Sequence, residues 1–183
     1  MKISDTFIKG LFVAQSDVLQ DTRGSFSRLY CGLELSSIIA DRTIVQINHS
    51  CTISVGTVRG MHYQLPPFSE MKLVRCIRGM VWDIVIDLRT GSPTFLQWYA
   101  EELSPGNRKM MIIPEGFAHG FQALEPGSEL IYLHTEYYTP GSEAGLNPMD
   151  PLLLIKWPMP VAQLSDRDSG HAWITQDFKG IAI

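Results

Sequence analysis

Apolar and polar residues alternate along much of this chain, most clearly over Val81–Leu88. There Trp82, Ile84, Ile86 and Leu88 fall on one side and Val81, Asp83, Val85 and Asp87 on the other, which is the period of a β-strand. Similar short runs predict strands near Leu11–Ala14, Thr43–Ile47, Thr57–Gln64, Lys72–Arg78, Phe95–Tyr99, Met110–Ile113, Gly120–Leu124 and Glu129–Tyr138. Turn-forming pairs separate them, among them Arg23-Gly24, Pro66-Pro67, Arg78-Gly79, Pro105-Gly106 and Pro126-Gly127. Many short strands broken by turns predict an all-β sandwich or barrel. The fair helical segment early in the chain is Leu33–Ala40, with Ile38 and Ile39 as its apolar side. Beyond Pro140 the chain turns Pro/Gly-rich with a few weak helical turns.

The chain has 183 residues, 45% hydrophobic and 19% charged. That suits one folded domain over residues 1–183 with a sizeable core and argues against disorder. A net charge of −4 leaves no basic footprint for nucleic acid or an anionic membrane surface. An anionic ligand must therefore be caught by local Arg and Lys side chains. Cys31, Cys51 and Cys76 have no paired spacing, which predicts idle thiols in a reducing compartment. With no long apolar run and a polar start, the expected location is the cytoplasm.

Candidate chemistry concentrates in Arg59-Gly60-Met61-His62-Tyr63-Gln64 and Lys72-Leu73-Val74-Arg75. His62 and Gln64 share one strand face, and Lys72 precedes Gly79 by seven residues. The spacing is that of the first metal-binding motif of cupin-type barrels, with Gln64 in place of a His and Lys72 in place of a Glu. An ammonium has no lone pair for a metal, so no metal and no cofactor is expected. A His with a fixed cation nearby suits proton removal beside a carbonyl, with the enolate oxygen held by the cation. His62 is the candidate base; the alternative is a structural His on a strand. Lys72 is the oxyanion holder if it faces inward, or else a surface Lys with its stem on the sheet.

Pro114-Glu115-Gly116-Phe117-Ala118-His119 has the shape of the second cupin motif, so His119 reads as a substrate hydrogen-bonding residue or a structural His at a strand start. If Glu129–Tyr138 is one regular strand, Tyr132, His134 and Tyr138 share a face, with the two tyrosines about 20 Å apart. One would then serve as proton donor and the other as a distant stacking platform, unless that face simply packs in the core. Asp21-Thr22-Arg23-Gly24-Ser25-Phe26 offers an Arg for a phosphate and a Phe for a flat ring. In Ser165-Asp166-Arg167-Asp168 the acids orient an imidazole or cap a helix.

Together these segments, with Gln46-x-Asn48-x-Ser50, Gly91-Ser-Pro-Thr-Phe95 and Ile155-Lys-Trp-Pro158, resemble the dTDP-4-dehydrorhamnose 3,5-epimerase family of sugar-nucleotide enzymes. The resemblance implies a cupin-type jelly-roll barrel with short peripheral helices, working as a homodimer without metal. It implies a nucleotide-diphosphate 4-keto-6-deoxyhexose as substrate, dTDP- or CDP-linked. In that reading His62 is the base and Asp168 its dyad partner, Lys72 holds the C4 oxyanion, and Tyr132 returns a proton from the opposite ring face. Tyr138 and Phe26 would sandwich the nucleobase. Arg23, Arg59 and His119 would hold diphosphate and sugar oxygens, and Gln46, Asn48, Glu143 and Arg167 would make further substrate contacts. The pathway expected is deoxysugar supply for surface polysaccharide such as O-antigen.

Two departures from the family pattern bear on specificity. Arg28 stands where the family usually has Glu in Arg-Gly-x-Phe-x-Glu, and Leu133-His134-Thr135 replaces the common Lys-Thr-Thr after Tyr132. The rival readings are a 3-epimerase or a CDP-sugar epimerase on the same barrel, a non-catalytic binding barrel, and a metal cupin oxygenase.

Overall fold

The computed structural model describes residues 1–183. Its strands are β1 (Lys2–Asp5), β2 (Phe12–Gln15), β3 (Val18–Asp21), β4 (Gly24–Ser27), β5 (Gln46–Thr52), β6 (Val58–Gln64) and β7 (Lys72–Arg78). They continue as β8 (Val81–Asp87), β9 (Trp98–Leu103), β10 (Lys109–Ile113), β11 (Phe117–Ala123), β12 (Ser128–His134) and β13 (Glu143–Gly145). The helices are single turns, α1 (Ser36–Ile39) and α2 (Asp166–Ser169), with a 3₁₀ turn at Pro140–Ser142. Strands pair antiparallel throughout, in a six-stranded sheet ordered β1-β2-β10-β7-β12-β5 and a five-stranded sheet ordered β13-β6-β11-β8-β9. The hairpin β3-β4 forms a sheet of its own. The result is all-β, as the alternation predicts, and the jelly roll that the family resemblance implies.

Three apolar layers hold the sheets. Between them lie Val74 and Cys76 of β7, Met111 and Ile113 of β10, and Leu130 of β12. These face Val81 and Val85 of β8, Leu103 of β9, and Phe117 and Phe121 of β11. The outer face of the six-stranded sheet buries Leu73, Met110, Ile112 and Leu133 under Leu35 and Ile39 from the α1 segment. The outer face of the five-stranded sheet buries Met61, Ile84, Ile86 and Ala118 under Leu146, Leu153 and Ile181 of the C-terminal chain. With both faces covered, β8 is apolar on both sides, apart from its inward Asp83 and Asp87. Strand parity puts Lys72 on the inward face with Val74 and Cys76.

Several predicted boundaries shift. The run at Glu129 leaves the sheet after His134, so Glu136 and Tyr138 do not share a strand face with Tyr132, and the 20 Å spacing does not apply. What bends the chain there is Gln64, whose Oε1 accepts from the Thr139 N–H at 2.7 Å while its Nε2 donates to the carbonyl of Tyr137 at 3.2 Å. The strand expected at Phe95–Tyr99 begins only at Trp98, and β5 begins at Gln46 rather than Thr43. The helix expected at Leu33–Ala40 shrinks to one turn. β1, β3, β4 and β13, each no longer than four residues, carry too little alternation to announce themselves.

The turn before β9 depends on Asp87, fully buried at the end of β8. Its carboxylate accepts from Arg89 N–H and Nε at 3.0 and 2.8 Å, and from the hydroxyls of Ser92 and Thr94 at 2.6 Å each. Burial pushes this carboxyl up, but those donors outweigh it and hold it at about 2. The Gly91–Phe95 motif is thus a structural turn. We expect Asp87→Asn to cost about 3–5 kcal/mol at neutral pH, because it leaves Arg89 without its counter-charge. For a chain of this size that lowers Tm by roughly 6–20 °C. A carboxyl depressed below its unfolded value of about 3.9 stabilises above that pH and loses its contribution as pH falls towards about 2. The gap between variant and wild type, read by urea melts, should therefore close between those two pH values.

Candidate active site

The inward polar residues gather at one end of the sandwich around an open cavity of about 620 Å³, lined among others by Gln46, Asn48, His62, Lys72, Tyr138, Glu143 and Arg167. A second cleft of about 430 Å³, lined by Arg59, Ser165 and Asp168 among others, shares His62 and Arg167 with the first. The two spaces therefore meet at the imidazole.

His62 is placed by a close approach of β6 to β11, on which it stands opposite His119. A Cβ at Gly60 would lie 2.6 Å from the Gly120 Cα, and one at Gly120 would lie 2.7 Å from the Arg59 carbonyl. Only glycine at both positions lets the strands meet, and Gly60 also has φ +120°. Its freed N–H donates to Asp168 Oδ2 at 3.2 Å. Asp168 comes from α2, which Ser165 caps by accepting from the Asp168 N–H at 3.1 Å. Asp168 is 3% exposed, and its Oδ1 lies 2.7 Å from His62 Nε2. Burial pushes the Asp168 carboxyl up. The hydrogen bond and charge of His62, with Gly60 N–H and Ser165, outweigh this and hold it at about 2. Asp168 Oδ1 and the Arg167 guanidinium lie equally close to Nε2, at 2.7 Å; when Nε2–H donates to the carboxylate, the lone pair is on Nδ1.

Arg167 extends from the same turn. Its guanidinium lies 2.7 Å from His62 Nε2, and its Nη1 donates to Glu143 at 3.1 Å. Glu143 reaches the site because β13 adds to the edge of β6, pairing Glu143 with Gln64. Tyr138, half exposed on the loop after β12, donates its hydroxyl to Glu143 at 2.9 Å. Its N–H is held by Gln46 Oε1 at 3.2 Å.

On the opposite sheet Lys72 begins β7 and pairs in register with His134 of β12. Its Nζ lies 3.0 Å from Glu70. Tyr132 stands below, its hydroxyl 3.0 Å from Ser50 and its ring edge-on to His119. Burial pushes the Tyr132 phenol well up, against the Ser50 hydrogen bond, which lowers it. His119 is 5% exposed, with Nε2 2.8 Å from Asp83 Oδ1. It packs edge-on against Tyr132 and lines a small recess with Lys72 and Glu70 beside the main cavity. Burial pushes the Asp83 carboxyl up despite His119 and Lys72.

The cupin-motif positions are engaged elsewhere. The Gln64 amide is spent on the backbone of Phe68, Tyr137 and Thr139, Lys72 is ion-paired, and His119 is bonded to Asp83. His62, Asp168 and His171 do bring donor atoms within 4.8 Å of one another. The Arg167 cation beside His62 Nε2 opposes a divalent ion there.

Arg23 and Phe26 lie outside both clefts, on the exposed hairpin β3-β4; the Arg23 side chain is 89% exposed and paired with Asp21. Arg59 donates to the Cys51 carbonyl at 3.1 Å on the rim of the second cleft. Arg28 is tied to Glu34 at 2.5 Å, and Glu34 also meets the N-terminal amino group. Sequence reasoning missed Glu70, which precedes the strand, and His171, which packs on Gly145. A carboxylate two residues from a candidate lysine was the available signal for Glu70.

An antiparallel two-sheet fold thus carries an acid-supported histidine and an inward lysine on one polar cavity. The profile of the dTDP-4-dehydrorhamnose 3,5-epimerase family matches residues 5–176, and the chain belongs to that family. A relative from Sinorhizobium fredii, a dTDP-4-dehydrorhamnose 3,5-epimerase, is 37% identical, with 93% of this chain and 90% of the relative aligned. The solved RmlC of Legionella pneumophila, in complex with dTDP-4-keto-L-rhamnose, superposes with TM-score 0.89 at 36% identity, covering 94% of this chain and 92% of that one. ChmJ, a 3'-monoepimerase from Streptomyces bikiniensis solved as a His/Tyr double mutant with dTDP, gives TM-score 0.86 at 29% identity over 92% and 85% of the two chains. The two residues changed there are separated as His62 and Tyr132 are here.

Proposed function

We infer that the protein is an isomerase that epimerises a nucleotide-linked 4-keto-6-deoxyhexose, of the dTDP-4-dehydro-6-deoxyglucose 3,5-epimerase type. The observation that carries this reading is the Asp168-supported His62 and the inward Lys72 opening on one cavity. Hydrogens at C3 and C5 flank a ketone and leave as protons, so the reaction needs a base, an oxyanion partner and an acid. His62 Nδ1 takes the proton, and the Lys72 ammonium holds the charge that develops on the C4 oxygen. Tyr132, kept protonated by burial, returns a proton to the opposite face. With Gln64 and Lys72 at the ligand positions, the chemistry runs without a metal.

The diphosphate is assigned to Arg59 and Arg167, and the sugar and base to Gln46, Asn48, Glu143 and Tyr138. Arg23 and Phe26 fit the proposed homodimer: an exposed guanidinium and an exposed ring on a projecting hairpin meet the ligand when offered to the site of a second copy. The chain acts as one domain in the cytoplasm. No helix is long and apolar enough to cross a membrane, and the three cysteines are free.

Proton NMR in D₂O with dTDP- and CDP-linked 4-keto-6-deoxyglucose tests the function. The expected result is loss of both H3 and H5 signals with the dTDP sugar. Loss at C3 alone, the outcome the ChmJ likeness favours, would make it a 3-epimerase, and exchange only with the CDP sugar would change the nucleotide. No exchange with either sugar would overturn the enzymatic reading in favour of a binding barrel.

A further inference from the structure

The strand pairing that sets Lys72 opposite His134 also builds a chain of polar contacts that the proton transfers above do not use. Lys72 Nζ lies 3.0 Å from Glu70 Oε1, and Glu70 Oε2 accepts from His134 Nδ1 at 2.5 Å. Asn48 Nδ2, in turn, donates to His134 Nε2 at 3.3 Å. The side chains of Lys72, Glu70 and His134 are 12%, 11% and 9% exposed, so the chain is largely desolvated while its members line the cavity. The His134 ring also lies stacked on Tyr132, with centroids 6.2 Å apart and planes inclined by 26°. His134 therefore touches, directly or through Glu70, the proposed oxyanion holder, the proposed proton donor and a proposed substrate contact.

We propose that Glu70 and His134 act as one positioning unit that aims Lys72 at the C4 oxygen, with His134 keeping Glu70 from closing over the ammonium. The reasoning is geometric. A carboxylate held by only one partner is free to engage Lys72 with both oxygens, drawing the Nζ towards itself and damping the charge offered to the substrate. His134 occupies the second oxygen and prevents this. A threonine, the common family residue at this position, is too short to span from β12 to Glu70. The His134 side chain and the Glu70 carboxylate thus belong together in this chain. The inference rests on Lys72 being the oxyanion holder.

A double-mutant cycle on the full-length enzyme tests it, using Glu70→Gln, His134→Thr and the double variant, with Lys72→Met alongside. We expect each single variant to lower kcat about tenfold with KM changed less than about threefold, because the lost contact acts on charge present only in the transition state. The double variant should be no slower than the slower single one, since one broken link already disables the unit. His134→Gln, which offers an amide donor to Glu70, should recover kcat to within about threefold of wild type. Losses that multiply to about a hundredfold in the double variant would overturn the proposal, as would losses confined to KM or to thermal stability. A Lys72→Met variant with wild-type exchange would instead overturn the role of Lys72. An active wild type with inactive Lys72→Met and independent effects at Glu70 and His134 would remove this inference alone.

Discussion

Replacing His62 by Asn should lower kcat about 10²–10⁴-fold, the usual contribution of a positioned general base, and abolish solvent exchange at C3 and C5 together. The amide still reaches Asp168, so folding should be little changed, and the melting curve checks this. Loss of both exchanges follows because each proton lies α to the same ketone and His62 is the one base proposed for both. The carboxylate behind it does not set the acid limb of the pH–rate profile. Asp168, burial notwithstanding, is held at about 2 by His62, Gly60 and Ser165, so it stays ionised as pH falls through the range where an imidazole gains its proton. An Asp168→Asn variant should thus lose rate through a misplaced tautomer while its acid limb keeps the slope of a single ionisation. Deuterium exchange followed by NMR and a kcat/KM profile between pH 4 and 9 measure both effects. Wash-in at C3 with the His62→Asn variant at the wild-type rate would remove His62 as the base.

Much of this site could be read from residue order because strands write their geometry at short range. The alternation through Val81–Leu88 and Lys72–Arg78 survives into the structure, but it does not say which side is inward; the packing of Val74 and Cys76 in the core decides that for Lys72. The tight β6–β11 approach is likewise marked by Gly60 and Gly120, each of which would clash with backbone if it carried a Cβ. What sequence order does not encode is where a strand stops being a strand. Tyr138 looked like a continuation of the Tyr132 face, yet the Gln64 amide pulls Thr139 and Tyr137 away from the sheet. Contacts such as Asp168–His62, 106 positions apart, depend on a C-terminal chain with no periodicity of its own. The motif resemblance supplied that pairing; alternation could not. His119 shows the same limit: its motif was visible, but the Asp83 carboxylate that engages its imidazole sits on a neighbouring strand.

Replacing Tyr132 by Phe should separate the two halves of the reaction. His62 and Lys72 would still form the enolate, so H3 should continue to exchange with D₂O at a rate within about tenfold of wild type. Net inversion should fall by about 10²–10⁴-fold, because the face opposite His62 has lost its acid. The physical reason that Tyr132 suits this role is its burial, which pushes the phenol well above its ordinary value even though Ser50 pulls the other way. A phenol so placed keeps its proton at any working pH and gives it up only to a basic carbon. Removing the hydroxyl leaves the ring packed between His119 and His134, and its partner Ser50 is only partly buried, so stability should change by less than about 1 kcal/mol. Under this division of labour, substrate recovered from the variant carries deuterium at C3 with its original configuration. Equal loss of exchange and inversion would instead mean that Tyr132 supports enolate formation itself, and the proton returned to the opposite face would have to come from another group in the cavity.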